Sequence, residues 1–303
     1  MKDKNVKTKK IKNTKATIVF NILGYSFVSL VAIVCLLPFI MLISGSFTSE
    51  NAISNFGYSI LPREFSTSAY QLLFKYPQDI IRAYGVSIFI TALGTSLGLF
   101  IITMTAYVIN RKEFKYRNKV SFFFYFTTLF NGGLVSTYIF LIRYLHLKNS
   151  YLALIFPVML NVFYLLVMRS FMSSIPESII ESAKIDGAGE FTTFIKLILP
   201  LSKAGLATIG LFIALDYWND WYNAMLYMTD VTKYPLQYLL YNMLSSTEAM
   251  SRISSASSVS MSQMPSQSLK LAMAVIATGP IILLYPFVQK YFVKGITVGA
   301  VKG

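Results

Sequence analysis

Residues 216–224, Asp-Tyr-Trp-Asn-Asp-Trp-Tyr-Asn-Ala, crowd two carboxylates, two amides and both tryptophans of the chain into an otherwise apolar stretch. This set makes no nucleophile, base or metal cage. It makes a recognition surface: indole and phenol faces stack on the carbon faces of polyhydroxylated rings, while Asn219 and Asp220 can bond ring hydroxyls. On a continuous helix Trp218 lies three residues from Trp221 and four from Tyr222, which predicts one aromatic face. Asp216 and Asp220 share a face at i,i+4, and two like charges there disfavour a strongly anionic ligand. Ionisable groups inside apolar stretches normally face a bundle interior or a watery cavity, so Asp216, Trp218, Asn219, Asp220 and Trp221 are candidates to line a path through the protein. The same residues fit an interfacial aromatic belt, since Trp and Tyr gather where a helix leaves the hydrocarbon. Asn131, Asn161 and Tyr164 are the candidates in neighbouring apolar stretches, and each also fits a helix-to-helix hydrogen bond.

Catalytic chemistry is thin elsewhere. One histidine, His146, and one cysteine, Cys35 in an apolar run, provide neither a histidine pair nor a cysteine cluster for a metal, and no internal disulfide. No Gly-x-x-x-x-Gly-Lys-Ser/Thr loop is present to cradle a nucleotide. The expectation is a non-enzyme with no cofactor or metal of its own.

A second distinctive stretch, 181–200, reads Glu-Ser-Ala-Lys-Ile-Asp-Gly-Ala-Gly-Glu-Phe-Thr-Thr-Phe-Ile-Lys-Leu-Ile-Leu-Pro. Ala183 and Ala188 are small enough to admit another backbone, and Gly187 permits the positive-φ turn that a bulky residue resists. The pattern predicts a short helix, a sharp bend and a second helix. Asp186 can cap the second helix, or Gly187 can, with Glu190 three residues on as its reciprocal partner. Phe194, Leu197 and Ile198 give that helix one apolar face, and Pro200 ends it. By itself the cassette is either a docking element for another protein or an amphipathic helix in the lipid interface.

These clusters sit in a chain built for a bilayer. With 55% hydrophobic and only 13% charged residues, 303 residues cannot hide their apolar surface in one aqueous core. Six apolar stretches, near 18–46, 83–109, 119–142, 150–171, 204–228 and 269–292, are each long enough for the roughly 20-residue helix that crosses a hydrocarbon core. The expectation is an all-α, polytopic membrane protein: a six-helix domain over 18–292, a polar loop at 172–203, and tails at 1–17 and 293–303. The first stretch exceeds a signal-peptide core and reads as an uncleaved helix. Pro38, Pro157, Pro280 and Pro286 remove helical hydrogen bonds and predict bends. Of 27 Lys and Arg residues, 19 fall in 1–17, 110–119, 169–203 and the segment after 289, which puts both termini and the cassette in the cytoplasm. The net charge of +14 therefore pairs with anionic lipid headgroups, and no nucleic-acid partner is expected. On the outer side, 66–75 between Pro62 and Pro77 predicts a short surface helix, and the Ser- and Met-rich 245–268 an irregular loop.

Glu181, Ala183, Asp186, Gly187, Ala188, Phe194 and Pro200 stand in an order that resembles the "EAA" cytoplasmic loop of ATP-binding-cassette importer permeases; Ser182 stands where that family more often has Ala. Residues 285–303, Tyr-Pro-Phe-Val-Gln-Lys-Tyr-Phe-Val-Lys-Gly-Ile-Thr-Val-Gly-Ala-Val-Lys-Gly, are similar to the carboxyl terminus of the carbohydrate-importer branch. Residues 130–138, Phe-Asn-Gly-Gly-Leu-Val-Ser-Thr-Tyr, are similar to its subgroup for oligosaccharide and polysaccharide-fragment uptake. The resemblance implies the type I importer permease fold in a bacterial cytoplasmic membrane. It implies that Glu181, Ser182, Ala183, Asp186, Gly187, Ala188, Phe194 and Pro200 form a coupling helix seated in a separate ATPase. It further implies two ATPase subunits that bind ATP and Mg, a second and non-identical permease, an extracytoplasmic solute-binding protein, and an oligosaccharide substrate, acidic polysaccharide fragments included. The alternative is an ion-coupled secondary transporter that acts alone, with Asp216 and Asp220 as its coupling carboxylates.

Overall fold

The computed structural model describes residues 15–75, 77–257, 267–280 and 282. The basic tail up to residue 14, the stretch 258–266, Pro286, the 285–303 motif and the end of the 269–292 stretch lie outside the described residues. Among the described residues the regular elements are helical, apart from one isolated antiparallel bridge between Thr48 and Phe65. They form two compact units, 15–71 with 267–275 and 72–257 with 276–280.

In the first unit, α1 (Lys15–Ser46) is one helix of 32 residues with Pro38 inside it. Phe20, Leu23, Tyr25, Phe27 and Val28 are exposed around it, as expected of a helix solvated by lipid. α2 (Glu50–Phe56) starts at Ser49, whose Oγ accepts from the Ala52 N–H at 3.2 Å. The Glu50 carboxylate then accepts the N–H groups of Gln267 and Ser268 at 2.9–3.0 Å, closing the start of the helical stretch 267–280 with negative charge. α3 (Ser68–Leu73) is the short surface helix expected from the sequence, held by Tyr70 stacked on Phe47 at 4.8 Å.

The second unit is organised on α4 (Pro77–Asn110), with α1 the other single helix among the described residues that has the length and apolarity to cross a membrane. Three of the expected spans are not single helices. The 119–142 stretch is α5 (Arg117–Leu129) followed by α6 (Gly133–Ile139), which runs into a π-helical turn at Phe140–Tyr144; the two arms are bent by 110°. The cause is local: Gly133 takes φ +83°, and Asn131 Oδ1 accepts the Gly133 N–H at 2.8 Å, a turn that outcompetes helix continuation. The 150–171 stretch is α7 (Leu152–Ile155), a run of turns containing Pro157, and α8 (Val162–Ser173), restarted where Asn161 Oδ1 accepts the Phe163 N–H.

The cassette follows as α9 (Glu177–Ile185), α10 (Glu190–Thr193), a π-helical turn (Phe194–Ile198) and α11 (Leu199–Leu201). An 83° bend leads to α12 (Lys203–Asn219). Pro200 thus lies inside the last turn of its element, and the chain changes direction two residues later at Ser202. The 204–228 stretch also breaks, because α12 stops at Asn219 and α13 (Tyr222–Tyr227) begins where Asp220 Oδ1 takes the Asn223 N–H at 3.0 Å. Most of the expected 245–268 loop that is described is helical, since α14 runs Leu236–Ser257. Its hydroxyls fit a helix by bonding back one turn, Ser246 to the Asn242 carbonyl and Thr247 to that of Met243.

α4 packs against α8 and α12, and two of its glycines one turn apart leave room for what crosses them. A Cβ on Gly94 would lie 2.5 Å from the Tyr217 ring, and one on Gly98 would lie 2.7 Å from the Met159 carbonyl oxygen. Small residues at i,i+4 are the usual route to tight helix pairs where lipid removes the hydrophobic drive. Gly98→Ala is therefore expected to destabilise the purified protein by about 1–3 kcal/mol, read as a lower thermal midpoint in detergent. Gly24→Ala, with no atom within 4 Å of the added carbon, is the control that leaves the midpoint unchanged or slightly raised.

Candidate functional site

The turn of the cassette is built from backbone bonds. The Ala188 N–H reaches the Ala183 carbonyl at 2.9 Å and the Gly187 N–H reaches that of Lys184 at 3.0 Å, with Gly187 at φ +76°. This crossed pair is a Schellman motif, which needs a left-handed residue just past the helix end. Asp186 and Gly187 therefore close α9; neither caps the second helix. That helix starts at Gly189 without a side-chain cap, and Glu190 is its first residue, free of any reciprocal capping role.

Between the two arms lies a groove of about 450 Å³ whose lining includes Ile179, Ser182, Ala183, Ala188, Thr192 and Leu197. Ala183 is buried, Glu181 and Ser182 are exposed, and the Ser182 hydroxyl is satisfied by the Ser178 carbonyl at 2.9 Å. Phe194 points inward, buried against Tyr107 and Phe100 at ring distances of 5.5 and 6.1 Å. The most exposed large apolar side chains of the cassette are Ile185, 86% exposed, and Phe191, 66% exposed. The sequence carried a signal for Ile185: Ile180 and Ala183 mark the buried face of α9, and a residue five positions past Ile180 falls on the other side.

The second arm is fastened to the end of α4 by charges that the sequence alone did not single out. Arg111, 8% exposed, places Nη2 at 2.9 Å from Glu113 Oε1 and 3.6 Å from Glu190 Oε1. Lys184 Nζ lies at 2.8 and 3.3 Å from the same two oxygens. The Tyr107 hydroxyl donates to Glu190 Oε2 at 2.6 Å, and Lys112 pairs with Glu177 at the start of α9. Single exposed pairs contribute about 0–1 kcal/mol, but here a buried guanidinium and two carboxylates share partners across three segments. The hydrogen bond from Lys184, followed by one from the Glu113 backbone and then by the Arg111 charge, holds the Glu113 carboxyl below the usual carboxylate range. The Tyr107 hydroxyl and Arg111 do the same for Glu190, and the bond to Glu113 raises the Lys184 ammonium.

The path candidates divide. Tyr164 on α8 donates to Asp216 Oδ2 on α12 at 2.8 Å and stacks on Phe212 at 5.9 Å, so these two do meet. Asn131 and Asn161 bond within their own chain breaks, as above, and serve there in place of a helix-to-helix bond. Asn219 bonds back to the Leu215 carbonyl, and Asp220 is held by Asn223 at 2.7 Å. The single aromatic face does not form, because α12 ends between its members. Trp218 is buried, its indole N–H donating to the Ala277 carbonyl at 3.0 Å. Trp221 instead stacks on Tyr241 of α14 at 4.3 Å, and Tyr238 and Tyr234 continue the aromatic row. That row escaped the sequence reading because no helix was expected where α14 runs.

A bundle of broken apolar helices that carries a polar two-armed cassette defines a membrane permease. The chain belongs to the family described as binding-protein-dependent transport system inner membrane component, whose model matches residues 98–298. It is 39% identical over 291 residues to the polygalacturonan/rhamnogalacturonan transport system permease protein YtcP of Bacillus subtilis (strain 168), covering 94% of this chain and 98% of that one. It is 40% identical over 293 residues to protein LplC of the same organism, covering 96% and 97%. Among solved structures it is similar to a chain of a bacterial ABC transporter involved in the import of the acidic polysaccharide alginate, with TM-score 0.75, 28% identity and coverage of 92% and 98%. The protein is thus a permease subunit of an ABC importer, a transport component and not a catalytic one; the reading as a self-sufficient ion-coupled carrier gives way.

Two outcomes check the cassette. Gly187→Val has room for its side chain but must hold a left-handed backbone, so it is expected to lose about 1–2 kcal/mol locally, read as lower hydrogen-exchange protection of 177–200. The clamp has a defined pH window. The carboxylates of Glu113 and Glu190 contribute fully above their ordinary value of 4.5 and are lost as pH falls below it, whereas Lys184 contributes fully below 10.5 and is lost above it. Protection of 184–190, corrected for intrinsic exchange, is expected to be flat between those limits and to fall at both ends.

Proposed function

We propose that this chain is one of two non-identical permease subunits enclosing the translocation path of an importer for oligosaccharides, with acidic polysaccharide fragments as the substrate class. Its apolar stretches make six crossings of a bacterial cytoplasmic membrane, with both termini and the cassette on the cytoplasmic side. An extracytoplasmic binding protein delivers the solute. Two ATPase subunits, which bind ATP and Mg, receive the cassette in a surface groove. The observation that carries the docking role is the pair of outward apolar side chains, Ile185 and Phe191, flanking a groove floored by Ala183 and Ala188. Large apolar groups at the rim of small-residue ground are what a protein partner covers.

Motion of the ATPases then reaches the bundle through the clamp, since Glu190, Lys184, Arg111 and Tyr107 tie the cassette to α4, and α4 to α8 and α12. Glu181, Ser182, Asp186, Phe194 and Pro200 shape or support the docking element. The substrate class rests on the names of the relatives and on the Trp221–Tyr241–Tyr238 row, which offers stacking faces to sugar rings near Asn219 and Gln237. Asp216 and Tyr164, already paired, hold the neighbouring helices beside it.

The test is a complex purified in mild detergent from its native membrane, with hydrolysis measured as saccharide-loaded binding protein is added. Wild-type protein is expected to bring down an ATPase and a second permease and to show hydrolysis stimulated by a galacturonan-type oligosaccharide. Ile185→Asp is expected to lose the ATPase, and Gly187→Pro or Glu181→Arg to hydrolyse ATP without uptake while remaining inserted. Full transport by all three variants contradicts the coupling assignment.

A further inference from the structure

Where the ends of α4 and α8 and the starts of α5 and α9 converge, the protein holds a second recess of about 560 Å³. Its wall carries four cations, Arg111, Lys112, Arg117 and Arg169, against one carboxylate, Glu177. Arg111 is occupied by Glu113 and Glu190, and Lys112 by Glu177. Arg117 and Arg169 are in no ion pair among the described residues. Arg169 is half-buried and donates to the Ser121 hydroxyl at 3.2 Å, which fixes its guanidinium at the seam of α5 and α8. Arg117 is also half-buried, and Asn118 adds a neutral donor to the same wall. Two guanidinium groups partly withdrawn from water, without a carboxylate, are unfavourable unless an anion completes them. Forked donors of this kind suit phosphate oxygens.

The helix that opens at the recess points to the source of that phosphate. α5 starts at Arg117 and buries none of its residues. Phe122, Phe123, Tyr125, Phe126 and Leu129 are all exposed along it, so the helix that begins at the cationic pocket carries an exposed aromatic face along its length. A soluble anion would use the pocket alone, whereas a molecule with a phosphate head and acyl chains would use both parts.

We propose that this recess is a binding site for a phosphate-bearing anion, and that the anion is the headgroup of an anionic phospholipid whose acyl chains lie along α5. The site is separate from the path and from the outward face of the cassette. It rests on the chain spanning a bilayer, and not on the cassette's docking role, so the two readings fail independently.

The experiment uses the purified permease–ATPase complex in nanodiscs of phosphatidylcholine doped with phosphatidylglycerol, with retained lipid counted by native mass spectrometry. A headgroup-photoactivatable phosphatidylglycerol in the same discs maps the contact. Wild-type complex is expected to retain phosphatidylglycerol over phosphatidylcholine and to crosslink within 107–118 or 169–177. Arg117→Gln with Arg169→Gln is expected to reduce retention by roughly thirtyfold, the scale for two basic residues at an anionic headgroup. Arg117→Lys, a milder change, is expected to give an intermediate loss, which tests the site if the double variant does not assemble. Equal retention of the two lipids, or crosslinks confined to other segments, overturns the site. Displacement of phosphatidylglycerol by millimolar inorganic phosphate overturns the lipid source and assigns the pocket to a free anion.

Discussion

The arrangement depends on one charged knot, in which Arg111 at the end of α4 and Lys184 at the end of α9 share the carboxylates of Glu113 and Glu190. Without it the cassette would be joined to α4 and its end by apolar packing of Phe194 and by the separate Tyr107–Glu190 and Lys112–Glu177 bonds. With it, the α9–α10 turn and the last turn of α4 are bound at points where each helix is rigid. The Tyr107 bond to Glu190 and the Lys112 bond to Glu177 brace the two arms separately, so a displacement of either arm is felt at α4. Arg111 is the member nearest to full burial, and its two carboxylates are what make that burial tolerable.

A second constraint shapes the interior. In hydrocarbon an unpaired backbone group costs several kcal/mol, so a helix can break only where something local replaces the lost bond. Three breaks in the second unit have such a replacement: Asn131 for Gly133, Asn161 for Phe163, Asp220 for Asn223. The residues that first looked like hydroxyl-binding groups in the path are, in three cases, the devices that let the helices bend. A path flanked by bent helices gains polar lining from those same turns, and the two roles are compatible.

What could be read beforehand follows from how local the signal is. The all-α membrane character, α1, α4 and the two-armed cassette follow from run length, hydropathy and the Ala-x-x-x-Gly pattern around residues 183–187. The breaks were signposted by Asn-Gly-Gly at 131–133 and by Pro157, yet apolar composition outweighed them because hydropathy averages over a window longer than a turn. Phe194, expected in the docking set, turns inward, and Ile185, given no role beforehand, faces out, since periodicity finds an apolar face but not which partner covers it. The Arg111–Glu190 and Lys184–Glu113 pairs join residues some 70–80 positions apart, and no pattern in one sequence reports such a distance. The same holds for Trp221 on Tyr241, which needs both the stop of α12 and the continuation of α14.

The central claim is that the knot, rather than mere proximity, carries motion from the cassette to α4. The direct measurement is the number of ATP molecules hydrolysed per solute imported by the reconstituted complex, for Lys184→Glu alone and for Lys184→Glu combined with Glu113→Lys. The single change sets three carboxylates together and is predicted to raise that ratio several-fold, on the order of the 5–150-fold range of a site-to-site coupling, while the charge exchange restores most of it. An unchanged ratio in the single variant, or no recovery in the exchanged pair, would contradict the account.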